Sequence, residues 1–262
     1  MNNLCDYLFL SATQYFLSQN QRPKTIKMEV AFEAIGLEVP SKIAFNHLAE
    51  RANNNGETTR LRRPKGVLHG RCWKLGDGLE VWTVLYESES GEVFYADCRP
   101  GFRARFYQPI SPWALTEYDE DGEAVIHGYR HGSDTEVLFE LQNLTELNPL
   151  IFQEKTLNIG LCGLAYQAQI IHRTLNPIWR QSDKFQVKRE SDWSLCGQIL
   201  SFRLLRNPLS GNDLYWVYVH LNSLNLEVLI NRRGLFGEEI KVGAMLHADV
   251  WLQGHILEKN KI

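Results

Sequence analysis

Three groups of residues in the chain have types and spacings that bear on chemistry. The first is basic. Arg60, Arg62, Arg63, Lys65, Arg71 and Lys74 follow one another without an acidic residue between the ends of the run, and Arg99, Arg103, Arg105 and Tyr107 offer a second basic face soon after. Arginine and lysine on phosphates, beside aromatic rings that stack on bases, hold single-stranded nucleic acid without reading its sequence. The same residues also suit a solvated loop and a charged strand face, balanced by Glu117, Asp119, Glu120, Asp121 and Glu123. Arg232 and Arg233, in the turn Asn231 to Gly234, fit phosphate contact and an exposed loop equally well.

The second group is His220, His247 and Asp249, on segments with strand-like alternation. A carboxylate beside an imidazole is the minimum for general-base work, because it fixes the tautomer and supports the imidazolium. If those strands are neighbours, Trp216, Tyr218 and Trp251 share the same face and make it a partner-binding platform or an interdomain packing surface instead. The third group, His127 and His131, has helical metal-ligand spacing but lies in a strand-like segment. Four strand residues span about 13 Å, too far for both rings to reach one ion. Gly160-Leu161-Cys162-Gly163 lacks the lysine and hydroxyl of a phosphate loop and the serine of a nucleophile elbow, so close backbone packing explains its glycines. No metal or cofactor is expected.

Elements to position these groups are legible in part. Leu4 to Leu17 has a broad apolar stripe at helical spacing, and Ile43 to Ala52 reads as a helix stopped by Asn53, Asn54, Asn55 and Gly56. Beyond that loop, short apolar runs alternate with turn residues. Asp77-Gly78, Glu87 to Gly91 and Asp121-Gly122 each suit a hairpin turn, since Asp and Gly tolerate positive φ. Leu79 to Tyr86 is apolar on both alternating faces and reads as a covered central strand, followed by Glu92 to Asp97. Phe102, Ala104 and Phe106 alternate with Arg103, Arg105 and Tyr107, as in a half-exposed strand.

The stretch from Gly160 to Leu175 mixes small and large apolar residues; its length favours a helix. Polar residues thicken from Arg180 to Asp192, which places a domain boundary there. Past it, Ile199 to Arg206, Leu214 to Leu221, Leu224 to Ile230 and Met245 to Gln253 read as strands of a small barrel, with a turn at Ser210 to Asp213. In the last strand Leu246, Ala248, Val250 and Leu252 face in, and His247, Asp249, Trp251 and Gln253 face out. No repeat of fixed period is evident.

The expected architecture is therefore mainly β with a few helices (α+β). An antiparallel β-rich domain over residues 1–185 precedes a small barrel over 186–262, of the oligonucleotide-binding type or another compact kind. The 262 residues carry a net charge of -3, which removes the electrostatic case for a dedicated duplex-DNA or anionic-membrane binder. Cys5, Cys72, Cys98, Cys162 and Cys196 lack zinc or redox spacing and read as free thiols of a reducing, cytoplasmic setting. The leading expectation is a non-catalytic protein that binds a protein or small ligand through aromatic-rich β surfaces. A single-stranded nucleic-acid binder is the alternative, and an enzyme with a His/Asp site the second alternative.

Overall fold

In the computed structural model, which describes residues 31–118, 122–173, 175–182 and 190–257, the chain enters through a buried helical turn at residues 31–34. The helix expected over Leu4 to Leu17 lies outside the described residues. Helix α1 (Lys42–Asn55) starts where Ser41 Oγ accepts from Ala44 N at 3.2 Å, ends at Gly56, and buries Leu48, Ala49 and Ala52. Four strands follow as an antiparallel meander in the order of the chain: β1 (Glu57–Arg63), β2 (Gly66–Gly76), β3 (Leu79–Ser88) and β4 (Val93–Phe102). β2 and β3 are joined by the expected Asp77-Gly78 turn, with φ of 52° and 88°. β3 is the covered inner strand that its two apolar faces require, with Leu79, Val81, Trp82 and Val84 all buried.

The remaining strands form a ten-stranded sheet that closes on itself. One unit consists of β5 (Tyr107–Tyr118), β6 (Glu123–Arg130), β7 (Glu136–Leu141), two 3-10 turns and the long β8 (Leu157–Ile171). After the short edge strand β9 (Ile178–Gln181) the plan repeats: β10 (Asp192–Arg206), β11 (Asp213–Leu221), β12 (Leu224–Asn231), a 3-10 turn with the short β13 (Leu235–Gly237), and the long β14 (Met245–Ile256). The two long strands pair antiparallel along most of their length. Each also pairs antiparallel with the first strand of its own meander and parallel with the third strand of the other meander.

Two closed rings result, β5-β6-β7-β14-β8 and β10-β11-β12-β8-β14, sharing the β8–β14 wall. The strand order and pairing of one ring are repeated in the other. The correspondence reaches individual positions: Ile110 faces Leu157 in one ring, and Gln198 faces Met245 in the other, an equal displacement along the chain for both partners. Just beyond, each first strand carries a bulge, between Pro112 and Ala114 and between Ile199 and Ser201. The looped-out residues, Trp113 and Leu200, are 52% and 41% exposed. This is an internal repeat that no fixed sequence period announced.

Several expectations change. The stretch from Gly160 to Leu175 is not a helix; most of it is β8. Its small residues are there because the shared wall is crowded: a Cβ on Gly163 would sit 3.0 Å from Val250, and one on Gly160 3.0 Å from Ala104. The barrel expected over 186–262 has its four strands, but its ring closes only with β8, from the other side of residue 185. The alternation from Phe102 to Tyr107 is not one strand, since β4 ends at Phe102 and β5 begins at Tyr107. In β14 Leu246, Ala248, Val250 and Leu252 do join the ring core, yet Asp249, Trp251 and Gln253 are buried as well, Trp251 and Gln253 beneath a second layer and Asp249 against Ser194 and Gln167.

That second layer is the four-stranded sheet. One core fills the rings; another, with Phe32, Ile35, Leu79, Val81, Phe102, Trp216 and Trp251, lies between helix, small sheet and barrel exterior. A buried polar network adds directional contacts to this packing. Glu80 accepts from Trp82 Nε1 at 2.8 Å and Arg103 Nε at 2.6 Å, and its Oε2 lies 3.2 Å from His255 Nε2. Arg99, 2% exposed, bonds Asp97 at 3.1 Å and Gln142 Oε1 at 3.2 Å. Gln253 donates to Pro100 O at 2.9 Å. Burial alone would raise the Glu80 carboxyl; the His255 hydrogen bond and charge and the Arg103 guanidinium outweigh it and hold it at about 2.

Candidate aromatic binding face

The segment between β4 and β5 crosses the outside of the second ring and is fastened there by one carboxylate. Glu227 of β12, 1% exposed, accepts from Arg105 N at 2.6 Å and Phe106 N at 2.8 Å through Oε1, and from Trp216 Nε1 at 2.5 Å through Oε2. Burial pushes its pKa up, against these donors and the Arg105 charge. With Phe106 held in this way, its ring centroid lies 4.5 Å from that of Tyr218 and 6.3 Å from that of Trp216. Trp216 and Tyr218, two apart on β11 and so on one face, are nearly parallel at 5°.

Arginines cover the tryptophan. The guanidinium of Arg203, cross-strand partner of Trp216, lies 5.2 Å from its ring centroid, and that of Arg105 lies 5.7 Å away. Trp216 is consequently 4% exposed while Phe106 is 49% exposed, so the layer presents a half-open aromatic edge bordered by cations. Gln108 fixes the far side by donating to Asn225 O at 2.7 Å. Such a surface offers stacking, cation–π contact and apolar area. Both Glu227 oxygens accept from backbone or indole N–H donors.

The other expected site residues are dispersed. His220 Nδ1 is 2.8 Å from Asn225 Oδ1. Asp249 is hydrogen-bonded to Gln167 Nε2 at 2.7 Å and, at short range, to Ser194 Oγ, and its carboxylate makes no described hydrogen bond to His220 or His247. His247 is half-buried opposite Cys196 and Gln169. Trp251 is fully buried with its Nε1 3.2 Å from Glu140 Oε2, so it does not reach the surface that Tyr218 borders. Its alternation was read correctly, but the covering layer was not foreseeable from β14 alone.

The basic residues are scattered and largely paired. Arg103 is held between Glu80 and both oxygens of Glu146, at 2.9 and 3.1 Å, and Arg63 meets Glu117 at 2.6 Å. Arg105 lies 3.5 Å from Asp77, Arg232 lies 3.2 Å from Asp213, and Arg233 lies 2.5 Å from Glu38. Arg60, Arg62 and Lys65 have no ion-pair partner among the described residues, and they sit on β1 and its following turn. Tyr107 opens β5, half-buried beside Gly160. Among the described residues no group of three or more His, Cys, Asp or Glu is placed to hold a metal ion. His127 packs edge-on against Trp113 at 5.1 Å, and it lies 3.8 Å from Glu190.

Two features were missed in the sequence. Phe106 and Glu227 are the centre of the aromatic face, and the one available signal was Phe106 itself, a large apolar residue beside two arginines. The buried Glu80–His255–Arg103 group has no local signal, because its members meet only across layers. Cys72, Cys98, Cys162 and Cys196 are free and buried, and burial pushes the Cys98 thiol up to about 12. No helix among the described residues is long and apolar enough to cross a membrane. No curated protein and no solved structure matches the chain. Residues 187–254, which span β10 to most of β14, match the family described as "Domain of unknown function, E. rectale Gene description (DUF3881)".

Proposed function

We propose that the protein is a non-catalytic binding protein that takes a protein partner on the outer face of β11, against Phe106, Tyr218 and the arginine-covered Trp216. The observation that carries this reading is the half-exposed aromatic layer itself, fastened by backbone hydrogen bonds to Glu227 and bordered by Arg105 and Arg203. Tryptophan, tyrosine and arginine dominate the energetic centres of protein interfaces, and a pre-ordered layer loses little side-chain entropy on binding. Free, buried cysteines fit a reducing cytoplasmic setting for this activity.

A photo-crosslinking residue at position 106, compared in cells with one at the exposed Leu150, tests the reading. One discrete protein adduct from position 106 that disappears with Tyr218→Ala or Arg203→Ala supports it. Adducts indistinguishable from those at position 150, or none, overturn it. The nucleic-acid alternative has weaker support, since most of the basic residues are engaged by carboxylates. Binding to a single-stranded oligonucleotide that weakens steeply as salt rises would favour that alternative.

A further inference from the structure

The outer edge of the small sheet, unpaired among the described strands, differs in kind from the aromatic face. β4 is the last strand in the order β1-β2-β3-β4, with a ladder to β3 alone among the described strands. Ser88 N donates to Glu92 O at 2.9 Å, which turns the Glu92 backbone toward β3. Strand alternation then turns the peptide groups of Val93 and Tyr95 outward, to the open side. The side chains along this stretch are Val93, Phe94 and Tyr95, 59%, 51% and 50% exposed. Residues 93 to 96 carry no proline and no charge, the usual guards of an edge strand. Ala96 is the extra residue of a bulge opposite Val84 and Leu85, and beyond it the strand is buried from Asp97 to Phe102.

Acidic side chains gather at the turn end of this short edge. Glu87, Glu89 and Glu92 surround the β3–β4 turn, Glu89 and Glu92 being exposed and Glu87 touching His69 at 2.7 Å. Arg60 and Arg62 stand on β1, at the opposite edge of the sheet. We infer that the Val93–Ala96 edge docks an extended segment of another protein, apolar at alternating positions and flanked by lysine or arginine, which adds to the sheet as a fifth strand. Backbone hydrogen bonds to Val93 and Tyr95 supply the register, apolar contact comes from the side chains on both faces, and the glutamates select the flanking charge.

The test uses the full chain and two synthetic peptides of alternating valine and threonine, one with lysines at both ends and one with glutamates. Fluorescence anisotropy should show binding of the lysine-ended peptide and at least about tenfold weaker binding of the other. Val93→Pro removes an outward N–H without touching the β3 ladder, so it should keep the melting temperature and weaken the lysine-ended peptide by at least about tenfold. Equal binding of both peptides, no binding of either, or binding unchanged by Val93→Pro overturns the inference. So does sedimentation showing that the unaltered protein self-associates and Val93→Pro is monomeric, since the edge then serves a second copy of the chain. Each readout is independent of position 106.

Discussion

Replacing Glu80 by glutamine tests the account of what binds the small sheet to the barrel. In the native protein the carboxyl sits at about 2 against an ordinary value of 4.5, under the influence of His255 and Arg103 and in spite of burial. At neutral pH that difference corresponds to about 3 kcal/mol of stability, because one pH unit is worth about 1.4 kcal/mol. A depressed carboxylate contributes fully above its unfolded value and loses the contribution as pH falls through the folded one. About 1.5 kcal/mol should therefore remain at pH 3. Glu80→Gln keeps an acceptor for Trp82 but removes the charge and can set an amide against Arg103 Nε. Urea unfolding at pH 7 should show a loss of about 3 kcal/mol, and the deficit relative to the unaltered protein should narrow as both are taken from pH 5 to pH 3. Equal urea midpoints at pH 7, or a deficit that stays constant down to pH 3, would refute the reasoning.

Three further outcomes are expected. Gly254→Ala places a Cβ 2.3 Å from the Phe139 ring and should destabilise by about 1–3 kcal/mol, with partial recovery in Gly254→Ala/Phe139→Leu, read by thermal melting. The four described cysteines should resist iodoacetamide at pH 8 in the native state and react in urea, which mass spectrometry by peptide resolves. Trp113→Ser and Leu200→Ser, at the two exposed bulges, should each leave the melting temperature nearly unchanged, with stability within about 0.5 kcal/mol.

What the sequence made legible was local. Asp77-Gly78 turns a hairpin because two adjacent residues suffice to set its backbone, and α1 is readable over Ile43 to Ala52, although it runs on through Asn53, Asn54 and Asn55 before Gly56 ends it. The strands β10, β11, β12 and β14 follow from alternation. β8 was not readable, since Gly163 answers to Val250 across the shared wall and Gly160 to Ala104 and Tyr107, all far away in the chain. The repeat stayed hidden because equivalent positions hold different residues: Ile110 stands where Gln198 does, and Leu157 where Met245 does. The candidate face was half legible. Trp216 and Tyr218 were found by their spacing, whereas Phe106 is brought to them by Glu227, a contact between residues far apart in sequence.

The shared wall also fixes the order in which the protein can be made. β14 leaves the ribosome after every other described strand, yet the first ring needs it as much as the second does, between β7 and β8. Until residues 245–256 emerge, β7 and β8 each wait with one side unpaired, and neither ring can close ahead of the other. Both should therefore reach the native state in a single late event with many long-range pairings, slowly for a domain of this size. The nascent chain carries open strand edges until that moment, so synthesis rate and chaperone supply should affect its yield.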